Sequence, residues 1–204
     1  MGSRIMHLLI ARRLSDQITI TDKEAFLAGS IAPDAVSGEA KDRSHFYEGH
    51  TNDFTRRVNH EAFIQKYCGQ LPNDYLLGYY IHLISDELWL NGFYFTWLRN
   101  RMEEREGFYE IYHEDFRRLN RKLANAYGVN ASAVQLTNHQ SILDLDEVPR
   151  ENVIRFLPYV VDDFIEREDQ PLTVFTLDQI VGYIESSVSK GKLAVQRLFN
   201  EETH

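Results

Sequence analysis

The chain has 204 residues, of which 43% are apolar and 26% charged, and its formal net charge is −9. This length and composition are typical of a well-cored globular protein, so we expect residues 1–204 to form a single domain. The excess of acidic residues argues against a nucleic-acid surface, because phosphate backbones are bound by clustered lysines and arginines.

Nothing in the N-terminal segment MGSRIMHLLIARRL has the pattern of a secretory signal, and Cys68 is the only cysteine. Both features fit a reducing compartment, and we expect a cytoplasmic protein. The apolar run 75–98 is long enough to span a bilayer, but it would bury His82, Asp86 and Glu87 in hydrocarbon. We therefore predict a buried core helix there and no stable membrane insertion.

Amphipathic segments predict helices at residues 4–14, 21–29, 53–68, 75–98, 103–127, 149–168 and 176–200. Pro158 predicts a break or kink near Leu157, and residues 37–52 lack periodicity and read as a long loop. No alternating strand pattern is present. The expected fold is an all-α bundle of about six to eight helices around a long central helix near residues 74–101. Helices in 103–200 would complete the bundle.

His82 and Asp86 stand out in the apolar run because they lie four residues apart. This spacing puts the imidazole and the carboxylate on the same helix face, with Ser85 beside them. Burying both groups is costly unless they are paired or bound to something. A metal ion would satisfy both groups, and a His–Asp hydrogen bond that fixes two helices is the alternative for this pair alone.

Three further segments bring a candidate metal ligand towards apolar surroundings. His7 lies on the first helix, Asp34 on a turn after proline, and His45 in the long loop beside Phe46 and Tyr47. Each residue alone also has a structural interpretation, as a boundary histidine, a capping aspartate or a loop residue. Taken with the pair on the central helix, they favour a metal site.

The stretches MHLLIAR, GSIAPD, SHF and GYYIHLISD follow one another in this order. Over roughly residues 5–98 this arrangement resembles the zinc-dependent phospholipase C family and, more distantly, the fungal single-strand nucleases. The resemblance implies a metal in a cleft, held by Asp34, His45, His82 and Asp86. His7 would serve a neighbouring metal, with Asp86 bridging the two.

The implied reaction is phosphoester hydrolysis, in which a metal polarises the phosphoryl oxygen and activates a bound water. Asp34 would either bind the metal or accept the proton of that water, and we name it as the candidate catalytic residue. Zinc is the implied metal, although such a mixed nitrogen and oxygen ligand set also suits Fe, Mn or Ni.

Family members with three metals add a second cluster of two histidines and a glutamate after the central helix. The later histidines here are His113, His139 and His204, and none has a second histidine at helical spacing. We predict that His113 is a solvated helix residue, and that one or two metals bind. Further candidates for contacts with substrate or with the ligands are His50, Ser85 and Glu87.

The leading hypothesis is a metal-dependent hydrolase of small phosphate esters, with a homo-oligomer left open. One alternative is an HD-type phosphohydrolase, which the absence of a His-Asp dipeptide disfavours. The other is a non-catalytic helical scaffold whose histidines and aspartates form a buried polar network.

Overall fold

The computed structural model, which describes residues 3–134, 136–164 and 169–201, is a predominantly helical bundle. Its α-helices are α1 (Arg4–Ser15), α2 (Lys23–Ile31), α3 (Ala40–Ser44), α4 (His60–Tyr67), α5 (Asp74–Trp89), α6 (Arg99–Glu104), α7 (Phe108–Tyr127), α8 (Arg150–Asp162) and α9 (Leu177–Glu201). Short 3₁₀ turns lie at Ala32–Ala35, Cys68–Gln70, Ala131–Val134 and His139–Ser141. Strands β1 (Tyr47–Glu48) and β2 (Arg57–Val58) form a small antiparallel ribbon in which Tyr47 pairs with Val58. The all-α prediction is confirmed.

The predicted central helix is α5 together with its continuation. The side chain of Asn73 accepts hydrogen bonds from the first amides of α5, as an N-cap does. The chain then continues as a π-helix over Leu90–Leu98 and as α6, so the helical run extends to Glu104. Every residue from Tyr75 to Asp86 is buried, as expected for a helix surrounded by protein on all sides. Among the described residues, no helix combines the length and the apolar character needed to span a membrane.

Helices α2 and α5 touch backbone to backbone at two glycines. A Cβ on Gly29 would lie 1.9 Å from the carbonyl oxygen of Tyr75, and one on Gly78 would lie 2.0 Å from that of Phe26. Only glycine permits this approach. The close packing at Gly78 therefore brings the residue after Gly29 within reach of the middle of α5.

Helix α1 completes the inner layer. It packs against α2 and α9, and α9 also packs against α5. All residues from Ile5 to Ala11 are buried, so His7 lies in the core on α1 and not at its surface.

Several predicted boundaries at the N-terminal half were wrong. Helix α2 begins after Asp22, whose side chain accepts from the amide of Ala25, and it continues past Gly29 to Ile31. The predicted long loop 37–52 contains α3 and β1. The predicted helix over 53–68 starts only at His60, because Asn59 caps it and the chain before it forms a turn and β2.

Two boundaries in the C-terminal half also differ. Helix α7 starts at Phe108 because Gly107, with a φ of 75°, separates it from α6. Helix α8 runs through Pro158 to Asp162, so the proline, near which a break or kink was predicted, does not end the helix. Val153 and Val160, one on each side of that proline, are both buried and hold the two halves on the core. Residues 165–168, at the end of the predicted segment 149–168, and His204 lie outside the described residues.

Candidate metal centre

Two buried histidines are oriented by hydrogen bonds from their Nδ1 atoms. His82 Nδ1 lies 2.8 Å from the carbonyl oxygen of Ser30, and His45 Nδ1 lies 3.0 Å from that of Lys41. His45 Nδ1 also lies 2.8 Å from the hydroxyl of Ser44, which itself donates to backbone carbonyl oxygens. Because a carbonyl oxygen only accepts, each Nδ1 carries a proton, so in the neutral imidazole the lone pair is on Nε2. The two Nε2 atoms face each other at 3.3 Å. Neither can donate to the other.

His7 adopts the same tautomer through a hydroxyl. Its Nδ1 lies 3.4 Å from Ser85 Oγ, which itself donates to the carbonyl oxygens of Ile81 and His82, at 2.7 and 3.0 Å. The Ser85 hydroxyl therefore accepts from His7, and the lone pair of His7 is on Nε2. This buried Nε2 has no hydrogen-bond partner in the described structure. It lies 3.5 Å from Asp86 Oδ1.

Two carboxylates complete the cluster. His45 Nε2 lies 3.5 Å from Asp34 Oδ1 and 3.5 Å from Asp86 Oδ2, and His82 Nε2 lies 3.8 Å from Asp86 Oδ2. Tetrahedral zinc with bonds of about 2.0–2.1 Å keeps its ligand atoms about 3.3–3.4 Å apart. The spacing of these atoms is close to that value.

The two oxygens of Asp86 face different histidines. Oδ1 faces His7, whereas Oδ2 faces His45 and His82. Two overlapping groups could hold a cation, one made of Asp34, His45 and His82, the other of His7, His82 and Asp86. The arrangement thus has donors for one or two ions.

The charges of the cluster favour a bound cation. Burial lowers the pKa of His7 to about 4 and that of His82 well below its usual value, so both are neutral at pH 7. Although burial works in the opposite direction for acids, the pKa of Asp34 and that of Asp86 remain below their usual range. Two anions and imidazole lone pairs therefore face one another in a largely buried cluster. A bound metal ion removes this repulsion.

Sequence reasoning missed Tyr47. Its hydroxyl donates to Asp86 Oδ2 at 3.1 Å, and burial, together with the charge of Asp86, raises its pKa well above the usual value. The hydroxyl therefore stays protonated. The only signal for it in the sequence is its position two residues after His45, on the strand that leaves the site.

A cleft of about 730 Å³ opens onto one side of the cluster. Asp34, His45 and Tyr47 lie at its edge, whereas His7, His82 and Asp86 lie deeper, at 0–1% exposure. Lys41 also lines the cleft, and its Nζ lies 3.2 Å from Asp34 Oδ1. The other lining side chains are largely aromatic and include Tyr94, Tyr109, Tyr112, Phe116, Phe156 and Tyr159.

The remaining candidates have different positions. Ser85 contacts His7, as described above, but His50 is exposed on the loop before β2 and belongs to neither group. Glu87 points away from the cluster towards Lys190 Nζ, at 2.7 Å, and His60 Nε2, at 3.5 Å. His113, predicted to be a solvated helix residue, is partly buried and lines the cleft.

The comparisons with known proteins agree with the resemblance noted in the sequence. A family model described as zinc dependent phospholipase C matches residues 6–129, which is more than half of the chain. The matched range contains His7, Asp34, His45, His82 and Asp86. Comparison with curated proteins and with solved structures found no match. The family and the buried group of histidines and aspartates together support zinc as the metal.

Proposed function

Because the chain belongs to the zinc-dependent phospholipase C family, we propose that it is a zinc-dependent hydrolase of phosphate esters. The observation that carries this proposal is the convergence of three imidazole Nε2 atoms on two carboxylates beside an open cleft. Family membership favours this hypothesis over an HD-type phosphohydrolase.

The proposed ligands of the first zinc are Asp34, His45, His82 and Asp86. A second ion would be held by His7 through its unpartnered Nε2, and by the other oxygen of Asp86. Carbonyl oxygens and the Ser85 hydroxyl keep all three imidazoles in the metal-binding tautomer. Tyr47 holds the Asp86 carboxylate in place through its hydrogen bond to Oδ2.

When bound, zinc polarises a phosphoryl oxygen and makes a water molecule acidic enough to act as nucleophile near pH 7. Asp34 lies at the edge of the cleft, and its low pKa keeps it ionised, so its carboxylate is available to take a proton from the water. Attack of the water oxygen on phosphorus would then break the bond to the ester oxygen, which would leave with the proton that Asp34 took from the water. Lys41 Nζ, beside Asp34, is placed to attract the phosphate into this end of the cleft.

The family implies a phospholipid-type substrate, and the aromatic lining of the cleft supports one. Tyr109 and Tyr159 line the cleft and are 60% and 59% exposed. Large exposed aromatic side chains beside a cleft suit a substrate with an apolar portion. The sequence alone gave no sign of such a surface, because these residues come from separate helices.

Zinc content and hydrolysis, measured on the same preparation, test the proposal. Purified protein should contain one or two zinc ions and hydrolyse bis(p-nitrophenyl) phosphate and a short-chain phospholipid. His82→Ala should lose activity and bind zinc more than about a hundredfold more weakly. Substituting a residue that only hydrogen-bonds to a metal ligand already lowers metal affinity by about 10–100-fold. His50→Ala, which changes an exposed histidine outside the cluster, is the matched control and should behave as wild type.

Two outcomes would contradict the proposal in different ways. A His82→Ala variant that keeps both zinc and activity would show that the cluster is not the metal site. Wild-type protein that binds zinc stoichiometrically but hydrolyses no phosphate ester would point to the non-catalytic scaffold.

A further inference from the structure

One face of α7 forms a side of the cleft. Its members recur at helical spacing, three or four residues apart, and define the α7 face: Tyr109, Tyr112, His113, Phe116, Arg117 and Asn120. Three of the six are polar. Polar groups along an otherwise aromatic surface fix the orientation of a ligand.

Asn120 carries the strongest indication of a ligand. Its side chain lines the cleft and is only 5% exposed, yet its Oδ1 has no hydrogen-bond partner in the described structure. Buried amide groups are nearly always paired, because leaving one unpaired costs free energy. A polar group of a ligand in the cleft would supply the missing partner.

His113 and Arg117 are the other two polar residues of the α7 face, and both lie nearer the start of α7 than Asn120 does. The His113 ring packs edge-on against Tyr109, with centroids 4.3 Å apart, and burial lowers its pKa, so it is neutral at pH 7 and offers one donor and one acceptor. Arg117 Nε donates to Glu114 at 2.8 Å and is half-exposed. A guanidinium has five donors, so others remain for a ligand.

We propose that His113, Arg117 and Asn120 form a subsite for the substituent of the phosphate ester, and that this substituent is a polyhydroxylated group. The inference rests on the proposed function and adds the class of substrate. Asn120 offers an acceptor, His113 offers a donor and an acceptor, and Arg117 offers donors. A hydroxyl both donates and accepts hydrogen bonds, so a substituent that carries several hydroxyls matches these three side chains.

Other substituents match less well. A quaternary ammonium group can neither donate nor accept a hydrogen bond, so it would leave Asn120 unpaired. A second phosphate or a carboxylate accepts only, and it would face the Asn120 oxygen without a proton to share.

Calorimetric titration of the zinc-loaded protein tests the subsite without requiring turnover. The probes are inorganic phosphate, myo-inositol 1-phosphate and phosphocholine, which share the phosphate but differ in the substituent. Wild type should bind the inositol phosphate at least about tenfold more tightly than phosphate, and phosphocholine about as well as phosphate. Asn120→Leu should weaken binding of inositol phosphate by about threefold to tenfold, the value of a hydrogen bond, and leave phosphate binding unchanged.

Asn125→Leu is the matched control, because Asn125 is exposed on the same helix and does not line the cleft. His113→Leu is a second variant with the same expected selectivity, in case Asn120→Leu does not fold. Preference for phosphocholine, equal binding of the three probes, or no binding by wild type would overturn the subsite. An equal loss of affinity for all three probes in both Asn120→Leu and His113→Leu would also overturn the subsite. A protein that shows the inositol preference but hydrolyses no ester would refute the proposed function and leave the subsite standing.

Discussion

Removal of zinc should destabilise the folded protein strongly, because the proposed ligands come from distant parts of the chain. They lie on α1, on the turn after α2, at the end of α3 and on α5. Without the ion, the lone pairs of His7, His45 and His82 face the carboxylates of Asp34 and Asp86 with nothing between them. The segments are then held together by packing alone.

The size of the effect follows from mass action. A ligand present at a thousand times its dissociation constant stabilises the folded state by about 4 kcal/mol. In a chain of about this length, 1 kcal/mol changes the melting temperature by about 2–4 °C. Chelation should therefore lower the melting temperature by about 8–16 °C.

Differential scanning fluorimetry with and without a chelator measures this shift, and zinc added in excess should restore the original melting temperature. The His82→Ala variant should melt at the same temperature with and without chelator, whereas His50→Ala should shift as wild type does. If the chelator removes the zinc but leaves the melting temperature of wild type unchanged, the cluster is a hydrogen-bonded network and the reasoning fails.

Three further changes probe the surroundings of the cluster. Gly78→Ala puts a methyl group 2.0 Å from the carbonyl oxygen of Phe26. In urea titrations it should lower the free energy of unfolding by about 3 kcal/mol or more, and it should also weaken zinc binding. Gly182→Ala on α9, where the added methyl group meets open space, is the control and should not destabilise the protein. Tyr47→Phe removes the hydrogen bond to Asp86 and should weaken zinc binding by about tenfold in a competition titration. Tyr159→Phe, which changes an exposed tyrosine, should not weaken it. Equal zinc affinities of wild type and Tyr47→Phe would contradict the role of Tyr47. The pKa of His7 is about 4 in the folded protein and about 6.5 in the unfolded chain. Below pH 6.5 the unfolded chain therefore binds more protons than the folded protein. The zinc-free protein should lose on the order of 3 kcal/mol of unfolding free energy between about pH 6.5 and 4. A zinc-free protein that becomes more stable on acidification would refute that assignment.

The sequence predicted the part of the cluster that depends on helix periodicity and on family motifs. His82 and Asp86 could be placed on one face because four residues make about one helical turn. Asp34, His45 and His7 followed from the resemblance. The Ser30 and Lys41 carbonyls that fix two tautomers could not be predicted, because every residue has a carbonyl and only the fold aims it.

Long-range contacts explain other differences. Thr21 and Glu24 have the spacing of a capping box, but Glu24 accepts hydrogen bonds from the backbone amides of Thr137 and Asn138, and Asp22 caps α2. Similarly, His113 lies on a helix of mixed charge and looks solvated from its neighbours in sequence. The cleft beside it is formed together with Phe156 and Tyr159 of α8, which local spacing cannot reveal.

The glycine contact between α2 and α5 and the tautomer of His82 depend on the same backbone geometry. Ser30 directly follows Gly29, and His82 lies four residues after Gly78, so the approach of the two helices brings the Ser30 carbonyl to 2.8 Å from His82 Nδ1. If the helices were farther apart, this hydrogen bond would lengthen. The proton would then no longer be held on Nδ1 of His82, and the tautomer with the lone pair on Nε2 would no longer be fixed. Packing and metal affinity are therefore coupled here. A larger residue at Gly78 should weaken zinc binding even though it touches no ligand.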